Sequence, residues 1–270
     1  MNPQARHDIV VSVHFTAIPN CTLDLWMYES GPYFSLPDVA SAQWDDRIAF
    51  DLIEAEIEAS GAVVLRYAFP GGLGFPLETT VTPFSQGVDI VARPLAKSTP
   101  VPDSVELPVP NLCVQAANAE GFSGDPQDYQ EFIGRCFIYT EEGHLFLDST
   151  ARRKNTVYFP EDGPGTDPLK AQLYASSLRD VPPMSRMFGC GHSPDRFEAP
   201  VMGIVSKDGD NLVAVATKNA DLMWLAYFSC IHNNPTWDPP NGPVDRRRLR
   251  TRVVLMQADY GGLLERVGML

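Results

Sequence analysis

The stretch GAVVLRYAFPGGLGFPLETTVTPFSQGVDIVARPL, residues 61–95, decides the fold class. It contains three segments rich in β-branched and apolar residues, which the turn sequences PGGLG and SQG separate. Such residues favour strands, and glycine and proline end them, so the stretch predicts hairpins. Just upstream, residues 46–59 are compatible with a helix or with strands. The period of two in EAEIEAS favours a strand that ends at a Ser-Gly turn.

The same alternation of strands and turns recurs along the chain. The sequence RCFIYTEEGHLFLDST turns at Glu-Glu-Gly, and SKDGDN marks a later turn. The 24 prolines and 20 glycines argue against a helical bundle, because both residues interrupt helices. We predict an all-β fold, a large antiparallel two-sheet β-sandwich with long loops and little helix. Residues 1–270 are predicted to form a single domain, with the proline-rich segment 98–110 as a crossover between sheets.

The acidic composition limits the possible partners. The net charge of -13 and the pI of about 4.7 repel phosphate backbones, so we expect no nucleic acid partner. No apolar run approaches the roughly 18 residues that a membrane span needs, so we expect no membrane partner. The N-terminus shows no signal-peptide pattern, which predicts a cytoplasmic protein. The five cysteines are odd in number and widely spaced, which predicts reduced and mostly buried thiols.

One basic run, DRRRLR at residues 245–250, stands out in this acidic chain. One interpretation is a strand at the edge of a sheet, where charged side chains discourage pairing with another molecule. The alternative is a local anion site. The sequence leaves both interpretations open.

The order of strands and turns in residues 61–95 resembles the two-sheet supersandwich of galactose-mutarotase-like proteins. That fold occurs in aldose epimerases and as a domain of several polysaccharide lyases and glycoside hydrolases, so the resemblance implies a carbohydrate-active protein. The epimerases use histidines and a glutamate near the C-terminus. That set has no match here, which makes an epimerase less favoured. Separately, SKDGDNLVAVAT followed by CIHNNP is similar to a block in uncharacterised bacterial proteins.

Two histidines supply the candidate acid–base groups. His232 follows an apolar run and precedes a proline-rich stretch, which predicts the lip of a binding cleft, and His192 lies in FGCGHSPDRFEAP with Asp195 and Arg196. An imidazole can transfer a proton in either direction near neutral pH, as a lyase acting on a uronate requires. We therefore expect lyase-type chemistry on a glycan or glycoside, in preference to hydrolysis or epimerisation. The simpler interpretation is that both histidines cap turns.

Aromatic and amide side chains supply candidate sugar-binding groups, because rings stack on the apolar faces of pyranoses. The prolines around Trp237 disfavour burial in a strand core, which favours ligand contact there. An aromatic loop that runs from Trp26 to Trp44 can add rings to a cleft. A non-catalytic glycan-binding or assembly module would use the same groups. The predicted substrate-binding residues are Asn233, Asn234, Trp237, Trp26, Tyr28 and Trp44.

A metal-binding protein is the third interpretation. Cys190 with His192, and Cys230 with His232, form two Cys-x-His pairs. Residues two apart on a strand point to the same face, so the pairs offer two thiolates and two imidazoles to one tetrahedral ion. The spacing is rare for structural zinc, and buried cysteines near histidines explain it as well. The expected partner remains a carbohydrate or glycoside. We expect no cofactor, and leave a divalent metal open.

Overall fold

The computed structural model of the chain describes residues 9–27, 51–68, 76–95, 112–125, 129–147, 171–175, 191–220, 222–226, 229–239 and 243–268. At some strand positions it describes the backbone alone. The described residues form sixteen strands and two α-helices, α1 (Tyr129–Arg135) and α2 (Tyr260–Val267). The strands are β1 (Val10–Phe15), β2 (Cys21–Met27), β3 (Asp51–Ile57), β4 (Val63–Ala68), β5 (Pro76–Phe84), β6 (Gly87–Pro94), β7 (Leu112–Gln115), β8 (Cys136–Thr140), β9 (Gly143–Phe146), β10 (Ala171–Ala175), β11 (Gly191–Arg196), β12 (Ala199–Val205), β13 (Asn211–Thr217), β14 (Leu222–Ala226), β15 (Cys230–Asn234) and β16 (Leu249–Gln257).

The strands form two sheets. The first has seven strands in the order β1-β2-β7-β15-β14-β10-β11, and the second has nine in the order β3-β4-β5-β6-β16-β13-β12-β8-β9. Neighbouring named strands pair antiparallel, except β10 and β11, which pair parallel. The predicted all-β, two-sheet sandwich is confirmed. Over the described ranges, no helix has the length and apolar character that a bilayer crossing requires.

The hairpins predicted from turn chemistry are confirmed. β3 and β4 pair across a turn that contains Gly61, and β5 and β6 pair around Ser85 and Gln86. β8 and β9 meet at the Glu-Glu-Gly turn, and β12 and β13 meet across SKDGD. Gly61 and Gly209 both have φ of +84°, a conformation that side chains with a Cβ rarely adopt. The strand interpretation of EAEIEAS is therefore correct over β3.

The core lies between the two sheets, and strands such as β2 alternate buried inward side chains with partly exposed outward ones. Leu23 and Leu25 of the seven-stranded sheet share one buried cluster with Leu65 and Tyr67 of the nine-stranded sheet. Each such side chain contributes about 1.5–3 kcal/mol when it leaves water. A second buried cluster lies on the outward face of the nine-stranded sheet, where α2 covers it with Leu263.

Two local expectations differ from the structure. The apolar run before His232 is not one strand that ends in a loop: β14 ends at Ala226 and β15 carries the imidazole within its own paired strand. The basic run 245–250 is not an edge strand. It begins in a 3₁₀ turn, Val244–Arg246, and ends in β16, where β6 pairs with Leu249 and Arg250 on one side. On the other side, the backbone of Arg248 pairs with Asp238 and the carbonyl of Arg250 accepts from the backbone N–H of Lys218. Arg246 and Arg250 are exposed, whereas Arg247 is buried. The crossover predicted at 98–110 lies outside the described residues.

Candidate functional site

The centre of the seven-stranded sheet brings a cysteine and a histidine from distant parts of the chain together. In β2, Leu23 and Leu25 point toward the core, so Trp26 points outward. Trp26 lies opposite Cys113 of β7, and Cys113 lies opposite His232 of β15. Directly opposite residues of a sheet point to the same face. All three side chains are therefore on the outward face.

Cys230 completes a three-residue cluster with Cys113 and His232. It lies two residues before His232 on β15 and so shares its face. The Sγ atom of Cys230 is 2.8 Å from Nε2 of His232, and the ligand atoms of all three residues lie within 4.8 Å of one another. Each of the three side chains is 0% exposed. We call this group the Cys-Cys-His cluster.

A buried amide supports the cluster. Gln115 lies opposite Cys230 in the sheet, and its Nε2 donates to Sγ of Cys113 at 3.7 Å. Cys21, by contrast, lies on the inward face among apolar side chains, and burial raises its pKa to about 11. The Cys-Cys-His cluster therefore differs from ordinary buried cysteine, because polar groups surround its sulfur atoms.

The chemistry of the cluster matches soft, thiophilic metal ions. Bonds of zinc to sulfur are about 2.3 Å and to nitrogen about 2.0–2.1 Å, so ligand atoms on one tetrahedral ion lie roughly 3.5–3.8 Å apart. The ligand atoms of the cluster lie within 4.8 Å of one another, and the 2.8 Å between Sγ of Cys230 and Nε2 of His232 would lengthen on a shared ion. Thiolate and imidazole are the ligands that zinc and monovalent copper prefer. Over the described ranges the cluster supplies three ligands, so a four-coordinate ion takes one more.

The structure separates the other predicted groups of the C-terminal half. Asn233 lies on the opposite face of β15 from His232, where Nδ2 donates to the carbonyls of Val215 at 2.8 Å and Pro200 at 3.0 Å in the other sheet. It joins the two sheets and does not face the cluster. The expectation that prolines keep Trp237 out of the core is wrong, because it is 5% exposed and packs in the main cluster. Asn234 ends β15, with only its backbone described.

The second predicted histidine lies on the same sheet but far from the first. His192, Asp195 and Arg196 are in β11, the edge strand, and only their backbone is described. His192 aligns with Leu173 and, through Trp224, with His232 in one row across the sheet. Three strand spacings make that separation about 14 Å. The described structure thus pairs His232 with Cys113 and not with His192.

The aromatic residues of the predicted sugar site are divided in the same way. Trp26 is not in a loop: it lies in β2, partly exposed, beside Cys113. Tyr28, Trp44 and Cys190 lie outside the described residues. The residue that sequence reasoning missed is Cys113. The sequence NLCVQAAN has the pattern of a strand, and its alternation places Cys113 and Gln115 on one face. The local sequence does not reveal that this strand lies next to β15.

Comparison with known proteins gives no family. No protein-family model and no curated protein sequence matches the chain. Among solved structures, the Slr1438 protein from Synechocystis sp. PCC 6803 aligns with a TM-score of 0.38 and 11% identity, over 76% of this chain and 65% of that protein. The protein HI1317 aligns with a TM-score of 0.38 and 9% identity, over 92% of each chain. At scores below 0.5 these likenesses do not establish a shared fold.

Proposed function

We propose that this protein binds a thiophilic metal ion through Cys113, Cys230 and His232. The observation that carries the proposal is the convergence of two sulfur atoms and one imidazole nitrogen within 4.8 Å. Of the sequence-based interpretations, metal binding is the one that this geometry favours, with Cys113 in the place given earlier to Cys190 and His192.

The burial of the ligands indicates a structural role for the ion. Catalytic zinc keeps a position open to water or substrate, whereas structural sites are closed. All three ligands are 0% exposed, which fits a closed site. The ion would join β7 to β15 in the middle of the seven-stranded sheet, where its binding free energy adds to folding stability. The four described cysteines are all buried, and a cytoplasmic location, where thiols stay reduced, is part of the proposal.

Metal content tests the proposal directly. The protein is purified under reducing conditions without affinity metal, and bound zinc, copper, iron and nickel are measured by elemental analysis. We expect about one ion per chain, lost in Cys113→Ala, Cys230→Ala and His232→Ala. The matched control is Cys21→Ala, which removes an equally buried thiol on the inward face and should keep the ion. Absence of metal from the wild type, together with no binding of added Zn²⁺ or Co²⁺, excludes this function.

A carbohydrate-active function is the second candidate. The observation that favours it is the single row across the seven-stranded sheet that contains Trp26, His232 and the backbone of His192. A glycan lying across the strands would follow such a row, with the partly exposed Trp26 as a stacking surface. Because His232 is fully buried, proton transfer would fall to His192, with Asp195 and Arg196 on the same strand.

The reaction proposed for this candidate is a lyase-type elimination on a uronate-containing glycan or glycoside. Purified protein is incubated with a panel of uronate and neutral glycans, and new unsaturated products are followed by ultraviolet absorbance. Turnover that disappears in His192→Ala and persists in Cys113→Ala supports the enzyme. Retention on a glycan array without product, weakened by Trp26→Ala, instead identifies a binding module. Neither product nor retention excludes both forms of this candidate.

A further inference from the structure

The outward face of the nine-stranded sheet collects arginines where its two central strands meet. Arg250 of β16 lies opposite Val91 of β6, and Leu249 lies opposite Ala92. The next position along this register sets Arg248 beside Arg93. Because Leu249 points into the core, Arg248 and Arg250 point outward, and Arg93 is outward and exposed. Arginines 93, 248 and 250 therefore form one group, which we call the arginine triad.

Arg248 is held in position at the centre of the triad. Its Nη1 donates to the backbone carbonyls of Asp245 and Arg247, both at 2.7 Å. Its backbone also pairs with Asp238 in both directions, at 2.8 and 2.9 Å. Side chains fixed by backbone contacts lose little entropy when they bind a ligand, so Arg248 is preorganised.

The three positive charges are close enough to affect one another. Burial lowers the pKa of Arg248, and the charges of Arg93 and Arg250 lower it further, while Asp245 and Glu78 act in the opposite direction. Guanidinium groups remain protonated in proteins, so the triad keeps its positive charge. An anion between these groups would relieve their repulsion.

Other cations on this sheet are neutralised by carboxylates. Arg252 forms a two-point ion pair with Asp89, at 2.6 and 2.9 Å. Lys218 pairs with Asp238 at 2.9 Å. Within the described part of the chain, no carboxylate forms an ion pair with Arg248 or Arg250. Arg93 pairs with Glu78, to which its Nε donates at 2.7 Å, so Arg248 and Arg250 are the two members of the triad without an ion-paired carboxylate among the described residues.

We infer that the arginine triad binds an oxyanion group, a carboxylate, sulfate or phosphate, carried by a small ligand. Guanidinium groups bind such groups through paired N–H donors in a planar fork. The acidic charge of the whole molecule repels long polyanions, which restricts the ligand to a small molecule or a short saccharide. The site lies on the other sheet from the Cys-Cys-His cluster and does not depend on a metal there. The inference adopts the anion-site interpretation of DRRRLR.

Titration with simple oxyanions tests the site. Sodium phosphate, sodium sulfate and sodium glucuronate are titrated by calorimetry into the full-length protein, with ionic strength held constant by sodium chloride. We expect saturable binding of about one equivalent by at least one of the three. The tightest of them identifies the chemical class. If none of the three salts gives saturable binding heat at constant ionic strength, the inference is overturned.

Variants locate the binding. Arg250→Gln removes an exposed side chain and should weaken the affinity about tenfold or more, and Arg250→Lys should restore part of it because it keeps the charge but not the fork. Arg248→Gln should have a similar effect. If that variant fails to fold, the two Arg250 variants carry the test. The control is Lys207→Gln, which removes one positive charge from an exposed turn. Equal affinity in the wild type and Arg250→Gln contradicts the inference.

Discussion

Cys113 and His232 are direct register partners on β7 and β15, so a thiol and an imidazole from distant parts of the chain meet in the middle of one sheet. Cys230 joins them from the same strand as His232, with Sγ 2.8 Å from Nε2. His232, predicted at the lip of a cleft, therefore lies on the face of a sheet.

Metal removal should lower the thermal stability of the protein. An ion that binds only the folded state adds about 2.7 kcal/mol when its free concentration is 100 times its Kd. We expect a lower Tm after treatment with a strong chelator under reducing conditions, and recovery on addition of Zn²⁺. Differential scanning calorimetry measures the shift. Cys21→Ala should respond like the wild type, whereas Cys113→Ala should show no response to chelator or Zn²⁺. A wild-type Tm that changes neither with the chelator nor with Zn²⁺ contradicts this prediction.

Asn233→Ala should destabilise the fold without changing metal content. Its amide donates to carbonyls of both β12 and β13 segments at Pro200 and Val215, and the residue is 1% exposed. Loss of these donors leaves buried carbonyls unsatisfied, at a cost of about 1–3 kcal/mol. Urea denaturation measures the loss, and elemental analysis measures the metal. Loss of metal in a variant that remains folded would show that Asn233 acts on the Cys-Cys-His cluster after all.

Gly203→Ala should also destabilise the fold, for a steric reason. Gly203 lies opposite Phe137, whose ring occupies the space of a side chain: an added Cβ would lie 2.4 Å from Cζ of that ring. Overpacking of this kind costs about 1–3 kcal/mol. The matched control is Gly134→Ala in α1, where an added Cβ meets nothing within 4 Å. That control should be neutral or slightly stabilising, because alanine favours helix. Combining Gly203→Ala with Phe137→Leu should recover part of the loss.

Glu78→Gln should reveal a pH-dependent contribution to stability. Burial alone would raise the pKa of Glu78, but hydrogen bonds from Arg66 and Arg93 outweigh it and the pKa is lowered overall. A carboxylate with a lowered pKa stabilises the fold fully above its unfolded pKa of about 4.3, and the contribution is lost as pH falls through the folded value. We expect the variant to be less stable by about 1–2 kcal/mol at pH 7.

The pH dependence of this stability difference tests whether the charge of Glu78 causes it. Urea denaturation of the wild type and Glu78→Gln should differ most at neutral pH, and the difference should narrow as pH drops below about 4. Glu56→Gln, on an exposed part of β3, should match the wild type throughout. A difference that stays constant down to acid pH would mean that the carboxylate charge is not its cause.

Local patterns predicted the hairpins because a turn and its two strands are encoded in adjacent residues. Gly61 and Gly209 take φ values that few other residues accept, so glycine at these positions indicates the turns from the sequence. The interior position of β16 was not predictable in this way. Charged residues such as Arg250 are typical of strand edges, but they also suit the outward face of a central strand, and the local sequence is the same in both cases.

Part of the candidate site was predictable from the sequence for a related reason. Cys230 and His232 are two apart on a strand, so their shared face follows from the sequence period alone. The burial of Trp237 was not predicted. Its proline neighbours prevent a regular strand, but the segment after β15 still places the indole in the core. The sides of β15 occupied by Asn233 and His232 could be separated from sequence, but which of them faces the other sheet could not.

The sequence by itself determined the class of the fold, the short strands, their turns and the shared face of Cys230 and His232 on β15. All of these depend on contacts within a few residues. Only the tertiary structure decided which strands became neighbours, and so placed Cys113 beside His232 and Arg93 beside Arg248. Strand order depends on burying apolar faces between distant segments, a property of the whole chain that no short pattern records.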